Sequence, residues 1–262
     1  MTMPNVPLRM EFSVEVPGTP EQVWDAIATT NGISSWFLPT DVEEREGGAI
    51  VLHMGDTDSP GTITGWDPPR RLEYSEPEWA ALTGHDVDSA TPMVTEFLVE
   101  AQSGGTCVVH VVSSAFGTGA DWEQEFFDDA KKHWLPFFDN LRLYLAHFPG
   151  QRVTSMEVAA DVPGASCQVF SAMREALGAG AVGKLVDTRG VTGQVERLGQ
   201  GELLLRLTDP VPGFLGFLTH DKGNGSTMTA IQGYLFSDDA AGYVEREAPA
   251  WKAWLQKLTP AQ

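Results

Sequence analysis

Three histidines in the first half of the chain are the side chains best suited to acid–base chemistry near neutral pH. His53 and His110 lie in segments with strand patterns, and His133 lies in a long helical pattern. A histidine that faces a cavity could act as a general acid or base, or could orient a ligand by hydrogen bonding. A histidine held in the core by hydrogen bonds is commoner than either, and the sequence leaves these alternatives open.

No established catalytic motif accompanies these histidines. The sequence has no G-x-S-x-G, no H-E-x-x-H, no C-x-x-C and no phosphate-binding loop. Residues 178–183, GAGAVG, have the glycine spacing of a dinucleotide-binding loop, but a predicted helix precedes them and a predicted strand follows. Dinucleotide binding needs the opposite order, so we interpret this run as a loop. We assign no catalytic residue and expect no metal ion and no cofactor.

The first half is also rich in aromatic side chains. Ligand pockets are mostly apolar with a few convergent polar groups, so these aromatics and the three histidines together are our candidate pocket residues. The aromatic candidates are Trp36, Phe37, Trp66, Tyr74, Phe97, Trp122, Phe126 and Trp134. Each of them could equally be an ordinary core side chain, which is the commoner role of a buried aromatic.

The charge balance excludes some partners. With 17 Lys and Arg against 36 Asp and Glu, the net charge is −19. Phosphate backbones and anionic lipid surfaces repel such a polyanion, so we expect neither nucleic acid nor membrane as a partner. We find no signal-peptide pattern and no apolar run long enough to span a membrane. Cys107 and Cys167 have no paired spacing, so we expect reduced thiols in a cytoplasmic protein.

The chain contains an internal repeat. Residues 10–27 align with residues 156–173 at a constant offset of 146, and eight of the eighteen positions are identical. Residues 97–116 align with residues 217–236 at an offset of 120. The offsets differ by 146 − 120 = 26, so the second copy has lost about that number of residues from its middle.

The repeat predicts two domains, 8–148 and 153–262, of which the second is shortened. In the first domain, residues 10–16 alternate as a half-buried strand, and Thr19 and Pro20 then start a helix. The later predicted elements are a short helix at 33–38, strands at 41–46, 49–54, 61–66, 70–76, 93–100 and 106–115, and a closing helix at 121–147.

Local signals mark the ends and bends of these elements. Asn31-Gly32 is predicted to end the first helix, and residues 56–60 are predicted to form a turn between strands. Asp121 could cap the closing helix, in which Pro136 is expected to produce a kink.

Five segments of the first half occur in the order and spacing of a known family. They are VWDAI (23–27), SSWF (34–37), REGGAI (45–50), GTITGWDPPRRLEYS (61–75) and HWLPFFDNLRLYL (133–145). On these segments the first domain resembles the START-like superfamily, also called SRPBCC, and within it the homologues of the activator of the heat-shock-protein-90 ATPase. The resemblance implies an α+β fold with two helix-grip (START-like) domains, each a curved antiparallel sheet packed on a long C-terminal helix. The second domain lacks a counterpart of SSWF and of GWDPPRRLEYS.

The resemblance also implies classes of function. Families with this fold bind lipids, sterols, plant hormones or polyketides in the cavity between sheet and helix, some act as cyclases or aromatases, and the eukaryotic namesakes stimulate a chaperone ATPase. We therefore expect non-enzymatic binding of a small hydrophobic or amphipathic ligand in the cavity of the first domain. Two alternatives stay open: a polyketide cyclase- or aromatase-like enzyme that uses a cavity histidine, and a co-chaperone-like protein-interaction module.

Overall fold

The chain folds into two compact units. The structure is a computed structural model and describes residues 5–55 and 57–258. The first unit spans Met1–Gly150 and the second spans Gln151–Gln262. Each unit contains one antiparallel sheet and a long helix that follows its last strand. The predicted α+β fold with two helix-grip domains is therefore confirmed.

The first unit begins with a strand and two helices and continues as an antiparallel meander. Its elements are β1 (Val6–Pro17), α1 (Pro20–Ala28), α2 (Thr30–Ser34), β2 (Thr40–Val42), β3 (Ala49–Met54), β4 (Thr57–Asp67), β5 (Arg71–Glu76), β6 (Met93–Ala101), β7 (Thr106–Gly117) and α3 (Asp121–His147). Two short 3-10 helices, Trp79–Thr83 and Val87–Ser89, lie between β5 and β6. The order across the sheet is β1-β7-β6-β5-β4-β3-β2, so the first strand pairs with the last.

One face of this sheet is buried and the other faces solvent. Every second residue of β7 is buried, as are Leu8, Met10, Val14 and Val16 of β1, and the two strands pair from Val6↔Gly117 to Pro17↔Thr106. Such alternation is what a strand with one covered face requires. The covering helix α3 packs against β1. We call the covered side the inner face and the solvent side the outer face.

The first helix starts where the sequence predicts. The Thr19 hydroxyl accepts a hydrogen bond from the Gln22 amide, and the Gln22 side chain accepts one from the Thr19 amide at 2.9 Å. This reciprocal arrangement is a capping box, and Pro20 adds a backbone angle already suited to the first helical turn.

The second helix differs from its prediction. The Thr29 hydroxyl accepts a hydrogen bond from the Gly32 amide at 3.0 Å, so α2 begins at Thr30 rather than at residue 33. Asn31-Gly32 therefore lies inside α2 and does not end α1. Gly32 packs directly on α1, since a Cβ atom there would come within 1.8 Å of the Asp25 carbonyl oxygen.

Two strand boundaries also differ. β2 ends at Val42 rather than at residue 46, because the chain turns back and the Glu43 amide donates to the Ala49 carbonyl at 2.8 Å. β4 already begins at Thr57, so residues 57–60 are not a turn but pair with β3. Asp56, which was included in the predicted turn, lies outside the described residues.

The start of α3 does not depend on Asp121. The N-cap residue is Ala120, and the Glu123 carboxylate takes the capping role. It accepts hydrogen bonds from the amides of Thr118 (2.8 Å), Gly119 (2.8 Å) and Ala120 (3.1 Å), and from the Thr118 hydroxyl (2.9 Å). Burial acts to raise the pKa of Glu123, but these hydrogen bonds outweigh it and hold the pKa below its ordinary 4.5.

The second unit repeats the plan with fewer elements. It consists of β8 (Thr154–Pro163), α4 (Ser166–Leu177), β9 (Leu185–Thr188), β10 (Val191–Leu198), β11 (Glu202–Asp209), β12 (Gly213–Asp221), β13 (Ser226–Leu235) and α5 (Ala240–Leu255), and its sheet order is β8-β13-β12-β11-β10-β9. Residues 210–212 join β11 to β12, whereas residues 77–92 join β5 to β6. Residues 178–184 form the connection from α4 to β9. That the second unit is a shortened copy of the first stays a prediction.

Two expectations from composition can be compared with the structure. Cys107 is buried, Cys167 is exposed, and both are unpaired. No helix within residues 5–55 and 57–258 combines the length and the apolar character needed to cross a bilayer.

Candidate functional site

The three candidate histidines lie on the outside of the first unit. His53 on β3 and His110 on β7 alternate with the buried residues of their strands, so both point away from the inner face. His133 is exposed on α3, and its Nδ1 atom lies 2.7 Å from the Asp129 carbonyl oxygen. The structure therefore does not bring the three histidines together, and it places none of them on the inner face.

The two strand histidines have polar partners on that outer surface. His53 Nδ1 lies 2.7 Å from a carboxylate oxygen of Asp58, and Nε2 lies 3.3 Å from one of Asp41. The hydrogen bond with Asp58 raises the pKa of His53 above its ordinary 6.5, although partial desolvation opposes this change. His110 Nδ1 lies 2.7 Å from the Ser13 hydroxyl.

Three of the candidate aromatics lie on the sheet. Tyr74 on β5 and Phe97 on β6 are buried side by side on the inner face, with ring centroids 6.4 Å apart and planes 22° from parallel. Trp66, near the end of β4, packs edge to face against Trp24 of α1 at a centroid distance of 4.9 Å. Tyr74 and Phe97 thus present an aromatic surface towards α3.

Trp36 and Phe37 follow α2 and are packed differently. The Trp36 indole is buried and donates its Nε1 hydrogen to the Ala26 carbonyl at 2.8 Å, which fixes it to α1. Phe37 contacts Trp134 and Phe137 of α3 edge to face, at centroid distances of 5.5 and 4.9 Å. Trp36 therefore belongs to the core, whereas Phe37 and Trp134 contact each other between the α2 region and α3.

Trp122 and Phe126 of α3 meet at Trp79, a residue that the sequence analysis missed. Trp79 is fully buried on the first 3-10 helix, and its Nε1 atom donates to the Thr91 carbonyl at 2.9 Å. Its ring centroid lies 5.6 Å from Trp122, 4.9 Å from Phe126 and 5.6 Å from Phe127. We call these four aromatic residues the tryptophan cluster. The sequence contained one signal for Trp79: it is a tryptophan in the long segment that connects β5 to β6. A segment of that length needs a buried side chain to fix it to the rest of the unit.

A row of hydroxyl groups crosses the inner face. Tyr74, Thr95 and Ser113 are direct cross-strand partners on β5, β6 and β7, and all three are buried. The Thr95 and Ser113 hydroxyl oxygens lie 2.9 Å apart. Burial raises the pKa of Tyr74 well above 10, and the nearby Glu76 acts in the same direction. Hydroxyls in such a place must be hydrogen-bonded, because an unpaired polar group is costly in an apolar interior.

Glu76 places a carboxyl group on the same face, two residues beyond Tyr74. Its side chain is buried, with a relative exposure of 2%. The Ser59 hydroxyl donates to Oε1 at 2.6 Å, whereas Oε2 has no hydrogen-bond partner among the residues that the structure describes. Burial raises the pKa of Glu76 from 4.5 to about 7, although the hydrogen bond from Ser59 opposes this. The sequence analysis missed Glu76, but its period-two spacing from Leu72 and Tyr74 was a signal for the inner face.

The closing helix α3 packs unevenly over this face. Its first half, residues 121–135, buries the apolar side chain of Phe127 but leaves its other inward aromatics and Ala130 half-buried. Its second half buries Phe138, Leu141, Tyr144 and Leu145. Pro136 separates the two halves, and its nitrogen has no hydrogen to donate to the preceding turn. The first half of α3 is therefore held less tightly than the second.

Aromatic side chains close the interior of the second unit. Phe217 of β12 lies edge to face against Trp251 and Trp254 of α5, at centroid distances of 5.8 and 6.3 Å. The Trp251 Nε1 atom donates to the Tyr243 hydroxyl at 3.3 Å. The Arg189 guanidinium lies over both indoles, 5.0 Å from Trp251 and 4.9 Å from Trp254.

The buried hydroxyls of the second sheet are satisfied by its own backbone. Thr227 donates to the Gly164 carbonyl and Thr229 to the Ala160 carbonyl, both at 2.8 Å. The cross-strand partner of Thr229 on β12 is Thr219, but the Thr229 hydroxyl donates to the backbone rather than to that side chain. The buried polar groups of the two interiors therefore differ: these threonines of the second sheet bond to backbone carbonyls, whereas Thr95 and Ser113 of the first sheet lie within hydrogen-bonding distance of each other.

Two surface concavities of the described residues lie apart from Glu76 and the hydroxyl row. One of about 370 Å³ lies beside the glycine-rich loop of the second unit, lined by Arg174 and Lys184 among others. Another of about 330 Å³ lies between β1 and α3 and is lined by Lys132, Leu135 and Arg142. Within the described residues, no three His, Cys, Asp or Glu side chains are grouped so that they could hold a metal ion.

Comparison with known proteins gives one family match. The family described as Activator of Hsp90 ATPase homolog 1-like protein matches residues 17–146, which are nearly the whole first unit. This confirms the resemblance that the sequence motifs indicate. A search of curated proteins finds no match to the chain.

Several solved structures are similar to this chain at low sequence identity. The di-domain ARO/CYC protein BexL from the BE-7585A biosynthetic pathway is 13% identical, covers 97% of this chain with 99% of its own, and has a TM-score of 0.45. The Aha1 dimer from Colwellia psychrerythraea is 16% identical and covers 53% of this chain with 96% of its own, with a TM-score of 0.44. MLL2253 from Mesorhizobium loti is 19% identical and covers 53% of this chain with 98% of its own, with a TM-score of 0.43.

Proposed function

Because the first unit of the chain belongs to the family of Activator of Hsp90 ATPase homolog 1-like proteins, we propose that this unit binds a small apolar or amphipathic ligand. The ligand lies between the inner face of the sheet and α3. One observation carries the proposal: the inner face bears a hydroxyl row and the Glu76 carboxyl beside the tryptophan cluster. Few convergent polar groups in an aromatic surrounding are typical of ligand pockets.

The cost of these polar groups supports the proposal. A buried carboxyl oxygen without a hydrogen-bond partner destabilises the folded state by about 1–3 kcal/mol. An apolar side chain of similar size at residue 76 would avoid that cost. A ligand that bonds to the Glu76 oxygen gives the chain a reason to keep it, whereas the buried Thr227 and Thr229 hydroxyls of the second unit are satisfied by backbone carbonyls.

The uneven packing of α3 provides the route for the ligand. The half-buried side chains of Trp122, Phe126, Ala130 and Trp134 all belong to the first half of the helix. Pro136 interrupts the hydrogen bonding between the halves. In this proposal the first half of α3 moves away from Trp79 and the sheet, and the ligand takes the place of its aromatic contacts with Trp79.

The proposed activity is binding rather than catalysis by a histidine. An enzyme of the cyclase or aromatase kind with a cavity histidine gains no support, because His53, His110 and His133 are on the outside. Glu76, in contrast, is an ionisable side chain that lies on the inner face.

Binding can be measured with pyrene, a flat fluorescent hydrocarbon without polar atoms. We expect the intact chain to bind pyrene, with an emission spectrum typical of an apolar site. Trp134→Ala removes a half-buried indole of the first unit's closing helix and should weaken binding about tenfold, which corresponds to about 1.4 kcal/mol. Native mass spectrometry of the protein as purified should in addition reveal a bound small molecule.

The second unit supplies a matched control. Trp254→Ala removes a half-buried indole of the closing helix α5 and should leave pyrene binding unchanged. Equal losses in the two variants, or no binding of pyrene by the intact chain together with no co-purified molecule, would contradict the proposal.

A further inference from the structure

We propose that Glu76 is the polar anchor of this ligand: its Oε2 atom donates a hydrogen bond to a carbonyl oxygen of a flat, uncharged molecule. The inference deepens the proposed function and rests on it. It assigns to one atom the recognition of one chemical group, and it specifies the ligand as a neutral ketone, quinone or similar conjugated carbonyl compound.

The residues on the two strands beside Glu76 offer no hydrogen bond to its Oε2 atom. It ends β5 on the inner face, where its cross-strand partner on β6 is Met93, a member of the core around Trp79. On the β4 side Gly61 contributes no side chain, and a Cβ atom there would lie 3.4 Å from the Glu76 Cγ atom. The carboxyl is therefore bordered by a methionine and a glycine, and neither provides a hydrogen bond to Oε2.

The hydrogen-bond pattern determines which oxygen carries the proton. The Ser59 hydroxyl already donates to Oε1, which is therefore the acceptor oxygen. A neutral carboxyl group carries one hydrogen, and the remaining oxygen, Oε2, is the one that holds it. Oε2 then needs an acceptor, and the described residues supply none. A carbonyl oxygen of a ligand meets this need, whereas a second donor does not.

The surrounding charges favour the neutral carboxyl. The titratable neighbour on its own strand is the Tyr74 phenol, β4 offers the Ser59 hydroxyl, and β6 offers the uncharged Met93. No charged group of the described chain, including those of α3 and the 3-10 helices, contributes to the pKa of Glu76, which burial raises to about 7. A cation that would stabilise the carboxylate is missing from this set, so the uncharged acid is the form that meets the ligand at neutral or lower pH.

The aromatic surfaces specify the shape of the ligand. The rings of Tyr74 and Phe97 lie on the same face as the carboxyl with planes 22° from parallel, and Trp79 lies three residues further along the chain than Glu76. Flat faces contact a conjugated planar molecule over a larger area than a branched or bulky one. A planar skeleton with a carbonyl at its edge matches both the aromatic faces and the Oε2 donor.

The test compares two probes on the intact chain. Prodan is an uncharged naphthyl ketone whose emission responds to hydrogen bonding at its carbonyl, and pyrene is a similar-sized hydrocarbon without an acceptor. We expect prodan affinity to fall roughly tenfold or more between about pH 5.5 and about pH 8.5, as Glu76 loses its proton. Pyrene affinity should stay constant over the same range, since it needs no hydrogen bond.

Two substitutions of Glu76 distinguish a hydrogen-bonding role of this side chain from a role in packing alone. Glu76→Gln retains a donor at every pH, so prodan should bind with a pH-independent affinity close to that of the parent chain at low pH. Glu76→Met keeps the volume without a donor, so prodan affinity should be low at every pH while pyrene still binds. Glu78→Gln, an exposed neighbour, should preserve the pH profile of the parent chain. Circular dichroism spectra establish that each variant is folded.

The outcomes distinguish this inference from the proposed function. Suppose that pyrene and prodan both bind but prodan affinity does not depend on pH, or that the Glu76→Gln variant keeps that pH dependence. Either result would show that Glu76 is not the polar anchor, while the proposal that the first unit binds a ligand would be unaffected. If prodan affinity rises with pH, the carboxylate is the binding form and the proposed ligand class is wrong. If neither probe binds the parent chain, the proposed function itself fails.

Discussion

Two buried glutamates of the first unit have pKa values that folding moves in opposite directions. Burial raises the pKa of Glu76 to about 7, whereas the hydrogen bonds of the α3 cap hold the pKa of Glu123 below 4.5. Both side chains are almost inaccessible to solvent. Desolvation by burial dominates at Glu76, which accepts one hydrogen bond, whereas the four hydrogen bonds that Glu123 accepts outweigh desolvation there.

The pKa of Glu76 predicts a pH-dependent stability. The unfolded chain releases this proton near pH 4.5 and the folded chain near 7, so the free energy of unfolding falls as the pH rises between these values. The full contribution is about 3.5 kcal/mol, from a pKa difference of about 2.5 at about 1.4 kcal/mol per pKa unit. The glutamine of Glu76→Gln does not titrate. The free energy of unfolding of this variant, measured with urea, should therefore rise relative to that of the parent chain by about 3 kcal/mol between about pH 4.5 and about pH 8. A constant difference between the two proteins would contradict this.

Glu123 should give the stability of the chain the opposite pH dependence. Its carboxylate stabilises the folded state above the unfolded pKa of 4.5, and this contribution is lost as the pH falls through the lower folded pKa. Glu123→Gln cannot accept all four hydrogen bonds, so at about pH 7 it should lower the free energy of unfolding by about 1–2 kcal/mol. The matched control is Glu125→Gln, an exposed glutamate of the same helical turn, which should unfold like the parent chain. Equal unfolding midpoints for the two variants would argue against the capping role.

At the scale of elements, the two closing helices cover their sheets by different means. In the first unit, α3 is split by Pro136 into a loosely packed half and a tightly packed half. In the second unit, α5 is fixed by Arg189 from the β9–β10 turn, whose guanidinium lies over Trp251 and Trp254. Arg189 has a positive φ of 53°, an uncommon conformation for a residue with a side chain, and this conformation directs it from the turn to the helix.

Removal of that contact should destabilise the second unit. Arg189→Met loses the attraction between the cation and two indoles, so we expect the free energy of unfolding to fall by about 1 kcal/mol. Tryptophan fluorescence during urea unfolding measures the change. Arg246→Met, on an exposed position of α5, is the control and should have no effect. A loss of the same size in both variants would mean that net charge, rather than the stacking over α5, is responsible.

At the scale of the whole chain, two units with one architecture differ in what their interiors contain. The first has an unpartnered carboxyl oxygen among the residues described, a hydroxyl pair and half-buried aromatics, whereas the second has buried hydroxyls bonded to backbone carbonyls. The proposed function therefore concerns one unit, and the other provides the internal control for each binding experiment.

This difference predicts the binding stoichiometry. Pyrene should bind at one site for each chain of 262 residues, although the chain contains two units of the same fold. Fluorescence titration at protein concentrations well above the dissociation constant measures this ratio directly. Two equivalent sites for each chain would contradict the assignment of binding to the first unit.

Local patterns in the sequence determined much of the fold. The Thr19 capping box, most strands and the limits of α3 follow from nearest-neighbour chemistry and from periods of two or 3.6 residues. The family resemblance over residues 17–146 then ordered these elements into a helix-grip unit. Turn signals were less reliable, because Asn31-Gly32 is compatible with a helix once Thr29 caps it.

Only the tertiary structure decided which side chains reach the interior. In β7, apolar residues occupy both alternating sets around His110, so the local pattern does not say which face is covered. The partners that settle the question are distant in the sequence: Ser13 for His110, and Ser59 for Glu76. The sequence therefore determined the elements and their family, whereas strand pairing and the cover of α3 decided that Glu76, and none of the three histidines, lies on the inner face.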